Sequence, residues 1–216
     1  MASAKCWPQE LQGIKFMKSV VFAMIMAVSF SAFASESESD KQKLQKLLKQ
    51  TQSLSADFQQ KVIDEQGDLL QSLSGTLKLK RPASLYWHTK KPDESVMIAN
   101  GTKVWYYNPF VEQVTVYAQQ NMVDDSPLLL VLDSNGKQWE NYNVSSEAER
   151  YFVEHETNGR KLELFFSNEK LKEITMVQAQ GERTELMLSD VVLNESIDDE
   201  QFVFEVPNGV DVDDQS

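Results

Sequence analysis

The segment from Ser72 to Lys91 reads SLSGTLKLKRPASLYWHTKK, and it contains the pattern that decides the fold. In its first half Leu73, Leu77 and Leu79 alternate with serine, threonine and lysine. This period of two is typical of a β strand that buries one face. A second strand is predicted in the other half, from Leu85 to Thr89, so the segment indicates two neighbouring strands of a sheet.

Similar short strands are predicted on both sides of this segment. One precedes it at Ala56–Gln60, before the turn Asp64–Gly67. Those that follow are Ser95–Ala99, Lys103–Tyr107, Glu112–Ala118, Tyr142–Ser146, Arg150–Glu156, Lys161–Ser167, Leu171–Gln178 and Glu182–Leu193. Asn-Gly pairs and single glycines between them suit the positive φ of tight hairpins. The pattern predicts one antiparallel sheet that meanders along the chain and curls.

Three helical segments interrupt this pattern. An amphipathic helix is predicted where leucines recur at helical spacing, from Leu44 to Leu54. A short apolar helix is predicted at Ser126–Leu132, because serine caps helices and proline suits the first helical position. The acidic residues of Ile197–Gln201 favour a brief helix or turn. The acidic run Asp211–Asp214 is expected to be solvated.

The first 34 residues are predicted to be a signal peptide with an N-terminal extension. An uncharged run, Ser19–Phe33, follows Lys18 and leads to Ala34 at the end of a small-x-small cleavage site. Met17 is the expected start, since the residues before it add nothing to a signal peptide. A retained anchor is the alternative, but the run is shorter than the roughly 20 residues that span a bilayer. Residues 35–216 then form a single domain.

Charge and cysteine content limit the classes of function. Residues 1–34 hold three lysines and one glutamate, which leaves 18 basic and 32 acidic side chains in 35–216, a net charge of −14. Nucleic acids and anionic membranes are bound through lysine and arginine, so neither is an expected partner. The one cysteine, Cys6, lies in the predicted signal region. Residues 35–216 therefore have no cysteine for a disulfide or a thiolate site.

Motifs for catalysis or cofactor binding are not found. His88 and His155 are far apart in the sequence and lie in predicted strands, where a structural or surface role is expected. His155-Glu156 lacks the second histidine of a zinc-protease helix, and Gly136-Lys137 lacks the upstream glycine of a phosphate loop. We therefore expect no enzymatic activity, no cofactor and no metal.

Several strands are apolar on both faces, which a sheet with one face in water does not need. Val104 and Tyr106 alternate with Trp105 and Tyr107, for example. A plain sandwich and a sheet that lines an internal cavity both account for this pattern. Arg81 has the same odd-numbered parity as Leu77 and Leu79, so its side chain is expected on the apolar side of the strand. Its guanidinium then either leans out to solvent or donates hydrogen bonds to carbonyls of a nearby helix such as 128–132.

Three stretches resemble the LolA family of outer-membrane lipoprotein carrier proteins. They are Leu79–His88 with Pro92–Ser95, Gly101 with Trp105–Gln113, and Phe58–Val62. The ending Gly209–Gln215 matches as well, and the resemblance runs in register over essentially all of 35–216.

The resemblance implies an unclosed antiparallel β-barrel, mainly β with helices, whose apolar cavity is covered by a lid of short helices. The lid candidates are the helix near Leu44, the segment 127–132 and the brief helix near residue 200. By position, Arg81 matches the arginine that hydrogen-bonds the lid. The apolar cavity and lid positions are Leu85, Trp87, Leu128 and Val131. Relatives often carry phenylalanine at positions 85 and 128, which leaves the apolar role intact.

The function implied is that of a monomeric periplasmic chaperone in outer-membrane biogenesis. It would accept acylated lipoproteins from an inner-membrane ATP-driven exporter, LolCDE-like, and hand them to a LolB-like outer-membrane receptor. Three alternatives remain open: the receptor itself, a binding module for other apolar ligands, and a lipid or cell-wall enzyme. The receptor needs a lipidated cysteine directly after its signal peptide, where this chain has Ser35.

Overall fold

The computed structural model describes residues 38–122, 127–134 and 136–216, and of residues 127–129 it describes the backbone alone. All of them belong to one compact unit, Ser37–Ser216. The predicted signal peptide, residues 1–34, lies outside the described residues, and its removal stays a prediction.

Twelve strands, three α-helices and two 3₁₀ helices make up the described chain. The strands are β1 (Ser53–Ile63), β2 (Leu69–Lys80), β3 (Ser84–Lys91), β4 (Ser95–Asn100), β5 (Lys103–Asn108), β6 (Gln113–Ala118), β7 (Tyr142–Glu147), β8 (Arg150–His155), β9 (Lys161–Ser167), β10 (Lys170–Val177), β11 (Arg183–Leu193) and β12 (Asp211–Gln215). The helices are α1 (Asp40–Gln50), α2 (Gln119–Met122) and α3 (Pro127–Leu132), and the 3₁₀ helices span Lys137–Asn141 and Asp199–Phe202.

All twelve strands join one sheet in the order β12-β6-β5-β4-β3-β2-β1-β11-β10-β9-β8-β7. Neighbouring strands run antiparallel, except that β12 lies parallel to β6. Within the described residues β12 and β7 are the free edges, so the sheet does not close. The predicted fold class, mainly β with short helices on an unclosed antiparallel sheet, is confirmed, whereas an enclosed apolar cavity remains a prediction.

The core lies on the inner face of this sheet, between the strands and the helices. Alternate residues of the strands point there, among them the fully buried Leu85, Val104 and Leu164. Helix α1 adds Leu44 and Leu48 to the same cluster, and α3 adds its last three residues. The two helices therefore cover the apolar inner face.

Helix α1 is shorter than the sequence pattern predicts. It ends at Gln50, and Thr51 already has extended backbone angles, φ −87° and ψ 96°. Leu54 is buried in β1, not in the helix. Apolar residues at positions 44, 48 and 54 fit both a helical repeat and the repeat of two of a strand. The spacing alone therefore predicted a helix that ends four residues too late.

The segment Asp211–Asp214 forms most of strand β12, and the expectation of a purely solvated run is wrong in that respect. The main chain of β12 pairs with Gln113–Tyr117 of β6, while all five side chains of the strand are exposed. The acidic side chains stay in water because β12 lies at an edge of the sheet.

The 3₁₀ helix Asp199–Phe202 packs on the outer face of the sheet, so its prediction as part of the lid is wrong. Phe202 and Ile197 are buried there against Ile98. Lys80 fixes the segment by donating from Nζ to the carbonyl of Ile197 at 2.9 Å. This second cluster also includes Val96 and Trp105 of β4 and β5, and it explains why those strands are apolar on both faces.

Candidate functional site

Arg81 lies directly after β2, where the sheet meets both covering helices. Leu77 and Leu79 before it point to the core, and Arg81 keeps the same parity. Its main-chain N–H donates to the carbonyl of Gln52 at 2.9 Å, which holds it beside the connection between α1 and β1. The half-buried side chain therefore points under the helices and not into solvent.

The guanidinium of Arg81 donates to four main-chain carbonyls. Nε reaches the oxygens of Leu48 at 3.0 Å and Thr51 at 2.8 Å, at the end of α1. Nη2 reaches the oxygen of Val131 at 3.0 Å, and Nη1 donates to Leu132, at the end of α3. One side chain thus binds the C-terminal ends of two helices, the 128–132 element that the sequence offered as an example of a nearby helix and α1 as well.

The chemistry of helix ends accounts for this arrangement. The last carbonyls of a helix have no partner within the helix, and they carry partial negative charge. A guanidinium offers five donors in a rigid fork, so it satisfies several of them at once. Burial lowers the pKa of Arg81 from its usual value, and the neighbouring Asp133 carboxylate opposes that change.

Three of the four predicted apolar positions have described side chains. Leu85 on β3 and Val131 on α3 belong to the core between the sheet and the helices, with exposures of 0% and 2%. Trp87 is half-buried on the same face, nearer the other end of β3. Leu128 lies in α3, but its side chain is outside the described residues. The structure thus brings Arg81, Leu85 and Val131 together under the helical cover.

An open pocket of about 440 Å³ lies on the inner face at the end of the sheet away from Arg81. Leu73, Trp87, Met97 and Met176 form its apolar lining. Its remaining lining is mostly polar, and includes Gln60, Gln71, Thr89, Asp93 and Glu94. The pocket thus leads from a polar rim to the apolar face beneath the cover.

Two polar residues that the sequence analysis missed hold the loops around Arg81. Gln119 is buried, accepts from the N–H of Gly101 at 2.7 Å and donates to the carbonyl of Ala83 at 2.9 Å. Asn194 binds the main chain of Gln50 and Gln52. Their partners are distant in sequence, so no local pattern marked either residue.

The two histidines take part in local contacts. Nε2 of His88 lies 2.8 Å from a carboxylate oxygen of Glu94, and Nδ1 of His155 accepts from the N–H of Thr157 at 3.2 Å. Among the described residues no three histidines, cysteines or acids are grouped as metal ligands. The same part of the chain has no helix with the length and apolar character to cross a membrane.

The fold and the site define a protein with an open β-sheet. Two helices cover the apolar inner face of the sheet, and hydrogen bonds from one arginine keep them in place. A family model described as outer membrane lipoprotein carrier protein LolA matches residues 49–205. A curated outer-membrane lipoprotein carrier protein of Idiomarina loihiensis is 79% identical over 93% of this chain and all of its own length.

More distant carrier proteins match over nearly the same span. The outer-membrane lipoprotein carrier protein of Shewanella amazonensis is 31% identical and covers 92% of this chain and 98% of its own. That of Pseudomonas paraeruginosa is 34% identical, over 89% and 96%. The chain therefore belongs to the LolA family of outer membrane lipoprotein carrier proteins. It is a lipoprotein carrier and not an enzyme.

Proposed function

We propose that this protein carries outer-membrane lipoproteins through the periplasm by holding their acyl chains between the inner face of the sheet and the helices α1 and α3. It accepts them from a LolCDE-like, ATP-driven exporter in the inner membrane and gives them to a LolB-like receptor. The predicted signal peptide supports the periplasmic location. The observation that carries the proposal is the position of Arg81, which fastens both helices over an apolar face.

Burial of the acyl chains supplies the driving force for loading. Each methylene removed from water contributes about 0.8 kcal/mol, so several long chains would cost tens of kcal/mol in an aqueous compartment without a cover. In the observed arrangement Leu85 on the sheet and Val131 on α3 are both buried in the core. The acyl chains must therefore displace the helices to reach these side chains.

Release requires that the loaded, open arrangement is not too stable. Two hydrogen bonds of Arg81 hold α1 and two hold α3, so the complete set forms when both helices lie on the sheet and favours the closed arrangement. They oppose cargo binding by the same free energy. Arg81 thus sets the balance between loading and release. The net charge of −14 on residues 35–216 favours docking to basic surfaces of the exporter and receptor.

The test uses protein purified from periplasm after expression of the full chain. It is mixed with inner membranes that hold newly made, labelled lipoproteins, and the soluble fraction is analysed for a one-to-one complex. The complex is then offered to outer membranes. We expect wild-type protein to release and deliver the lipoproteins, and mass spectrometry of its N-terminus to give Ser35.

Arg81→Leu and Arg81→Lys test the role of the site. Arg81→Leu should still form the complex and fail to deliver it, because the closed arrangement is no longer favoured. Lysine has three donors without the planar fork, so Arg81→Lys should lose at least one bond, about 1.5–3 kcal/mol, and deliver an intermediate fraction. Normal delivery by Arg81→Leu would contradict the role of Arg81, and lipoproteins that stay in the membranes with wild-type protein would contradict the function.

A further inference from the structure

Helix α1 is fastened to the sheet at its beginning as well as at its end. Asp40, its first residue, accepts a hydrogen bond at Oδ2 from the main-chain N–H of Ser146 on β7, at 2.9 Å. Its other carboxylate oxygen accepts from Nζ of Lys43, also at 2.9 Å. A single carboxylate therefore joins the start of the covering helix to a strand 106 residues further along the chain.

The Ser146 amide belongs to the free edge of the sheet. Strand β7 pairs with β8 alone in the described chain, and Glu147 faces Arg150 across a two-residue hairpin turn. The closing pair of such a hairpin is hydrogen-bonded, and hydrogen-bonded pairs alternate along an antiparallel ladder. The N–H of Ser146 consequently points away from β8, and Asp40 satisfies a donor that the sheet leaves open.

The connection between α1 and β1 is held by separate bonds. Oδ1 of Asn194 accepts from the N–H of Gln52 at 2.7 Å, and its Nδ2 donates to the carbonyl of Gln50 at 3.1 Å. The main-chain N–H of Asn194 donates to Ser53 at 2.9 Å. These bonds lie where the chain turns from helix to strand, at the end of α1 opposite Asp40.

We propose that the hydrogen bond from Ser146 to Asp40 is a second latch, beside the bonds of Arg81, that keeps α1 on the sheet. In this proposal α1 leaves the sheet by rotating about the connection between α1 and β1, which Asn194 holds. Asp40 is then a positioning residue, since it acts through α1. Rotation about this connection breaks the bond from Ser146 to Asp40 and the bond from Arg81 to Leu48, whereas Thr51 lies within the connection. The first two bonds therefore favour the arrangement in which α1 covers the sheet. This inference rests on the proposed function in one respect, that cargo enters beneath α1.

Amide hydrogen exchange of Ser146, followed by NMR in protein without cargo, measures the latch directly. Asp40→Ala removes the acceptor, and the Ser146 amide should then exchange about tenfold faster. Asp40→Asn keeps an acceptor oxygen and should retain most of the protection. Lys43→Ala is the matched control, because it removes the other partner of the carboxylate and leaves the Ser146 bond in place.

Exchange within α1 separates rotation from melting. The amides of Leu44 and Leu48 should keep their wild-type protection relative to one another and to β1 in Asp40→Ala. Loss of protection along the whole helix would mean that α1 melts, and it would overturn the inference. Unchanged exchange at Ser146 in Asp40→Ala would overturn it as well.

Delivery of lipoprotein provides the second measurement. Asp40→Ala should form the soluble complex and deliver less of it, as expected for Arg81→Leu but to a smaller degree. The double variant of Asp40→Ala and Arg81→Lys should show the product of the two single fold-changes in delivery, because each side chain acts on its own end of α1. Faster Ser146 exchange with normal delivery would overturn the inference. A wild-type protein that releases no lipoprotein would refute the proposed function and leave the exchange result intact.

Discussion

The ring of Phe58 on β1 packs against the indole of Trp87 on β3, with 4.2 Å between the ring centroids and 37° between the ring planes. Phe58 is 2% exposed, whereas Trp87 also lines the open pocket. The pair spans β2, which lies between the two strands. The buried ring of Phe58 therefore holds Trp87, which lines the pocket, in position from the core side.

Replacement of Phe58 by alanine should lower the free energy of unfolding by about 3–5 kcal/mol, since it leaves a cavity in a packed core. Urea unfolding measures the change, with tryptophan fluorescence as the probe. Phe110 serves as the control because it is 87% exposed at the tip of the β5–β6 hairpin. Phe110→Ala should stay within about 0.5 kcal/mol of wild type. Equal effects of the two substitutions would show that Phe58 is not part of the core.

Gly75 allows β2 and β3 to approach each other beside this pair. A Cβ at this position would lie 1.9 Å from the carbonyl oxygen of His88 and 2.9 Å from Cε1 of Phe58. Gly75→Ala should therefore cost about 3 kcal/mol, because the clash involves main-chain atoms that must shift. Gly67→Ala meets no neighbouring atom and pays only for its φ of +92°, about 1 kcal/mol. Thermal unfolding of both variants compares them, and a smaller loss for Gly75→Ala would rule out the close approach.

The Asp40 latch has a consequence for pH dependence. The hydrogen bond from Lys43, followed by that from Ser146, holds the pKa of Asp40 below its ordinary value of 3.8. A carboxyl group with a lowered folded-state pKa stabilises the fold above the unfolded value, and it loses that contribution as the pH falls through the folded value. Lys43→Ala should move the pKa of Asp40 upward.

Carbon-detected NMR titration of the Asp40 carboxyl measures this change. The difference in stability between wild type and Lys43→Ala should be largest above pH 4 and disappear in stronger acid. An Asp40 pKa that is the same in both proteins would show that Lys43 does not determine it.

The outer-face cluster provides a test of which helices belong to the cover. Phe202→Ala should lower the free energy of unfolding by about 3–5 kcal/mol, because Phe202 is 4% exposed. It should leave the amount of lipoprotein released per folded molecule unchanged, since Phe202 lies on the face opposite Arg81. Leu44→Ala, a substitution of similar cost in the inner core, should alter release. The same change in release for both variants would place the 3₁₀ helix in the cover after all.

The alternation of apolar and polar residues along the sequence predicted most of the strands. The strand Lys161–Ser167 has the predicted limits, and most other strands differ from prediction by one or two residues at an end. Short apolar runs such as Leu130–Leu132 were recognised as helical from Ser126 and Pro127, whose cap chemistry is local. These elements need no information about the rest of the chain.

The remaining features depend on contacts between residues that are far apart in sequence. Asn194 and Gln52 are 142 positions apart, and Asp40 and Ser146 are 106 apart. Each of these side chains is of a common surface type, so no local pattern distinguishes them. Strand β12 was missed because an acidic run has low strand propensity, and its pairing with β6 is decided by the main chain. Arg81 was found through its parity and the family resemblance together.

The acidic strand β12 also protects one edge of the sheet against self-association. An unpaired edge offers main-chain donors and acceptors to any extended chain, which is a common beginning of aggregation. Here such a chain would have to lie beside Asp211, Asp213 and Asp214, all exposed. A second copy of the same edge would bring like charges opposite one another, which disfavours pairing. In a crowded compartment, the carboxylates of β12 thus help to keep an open sheet from growing into a fibre.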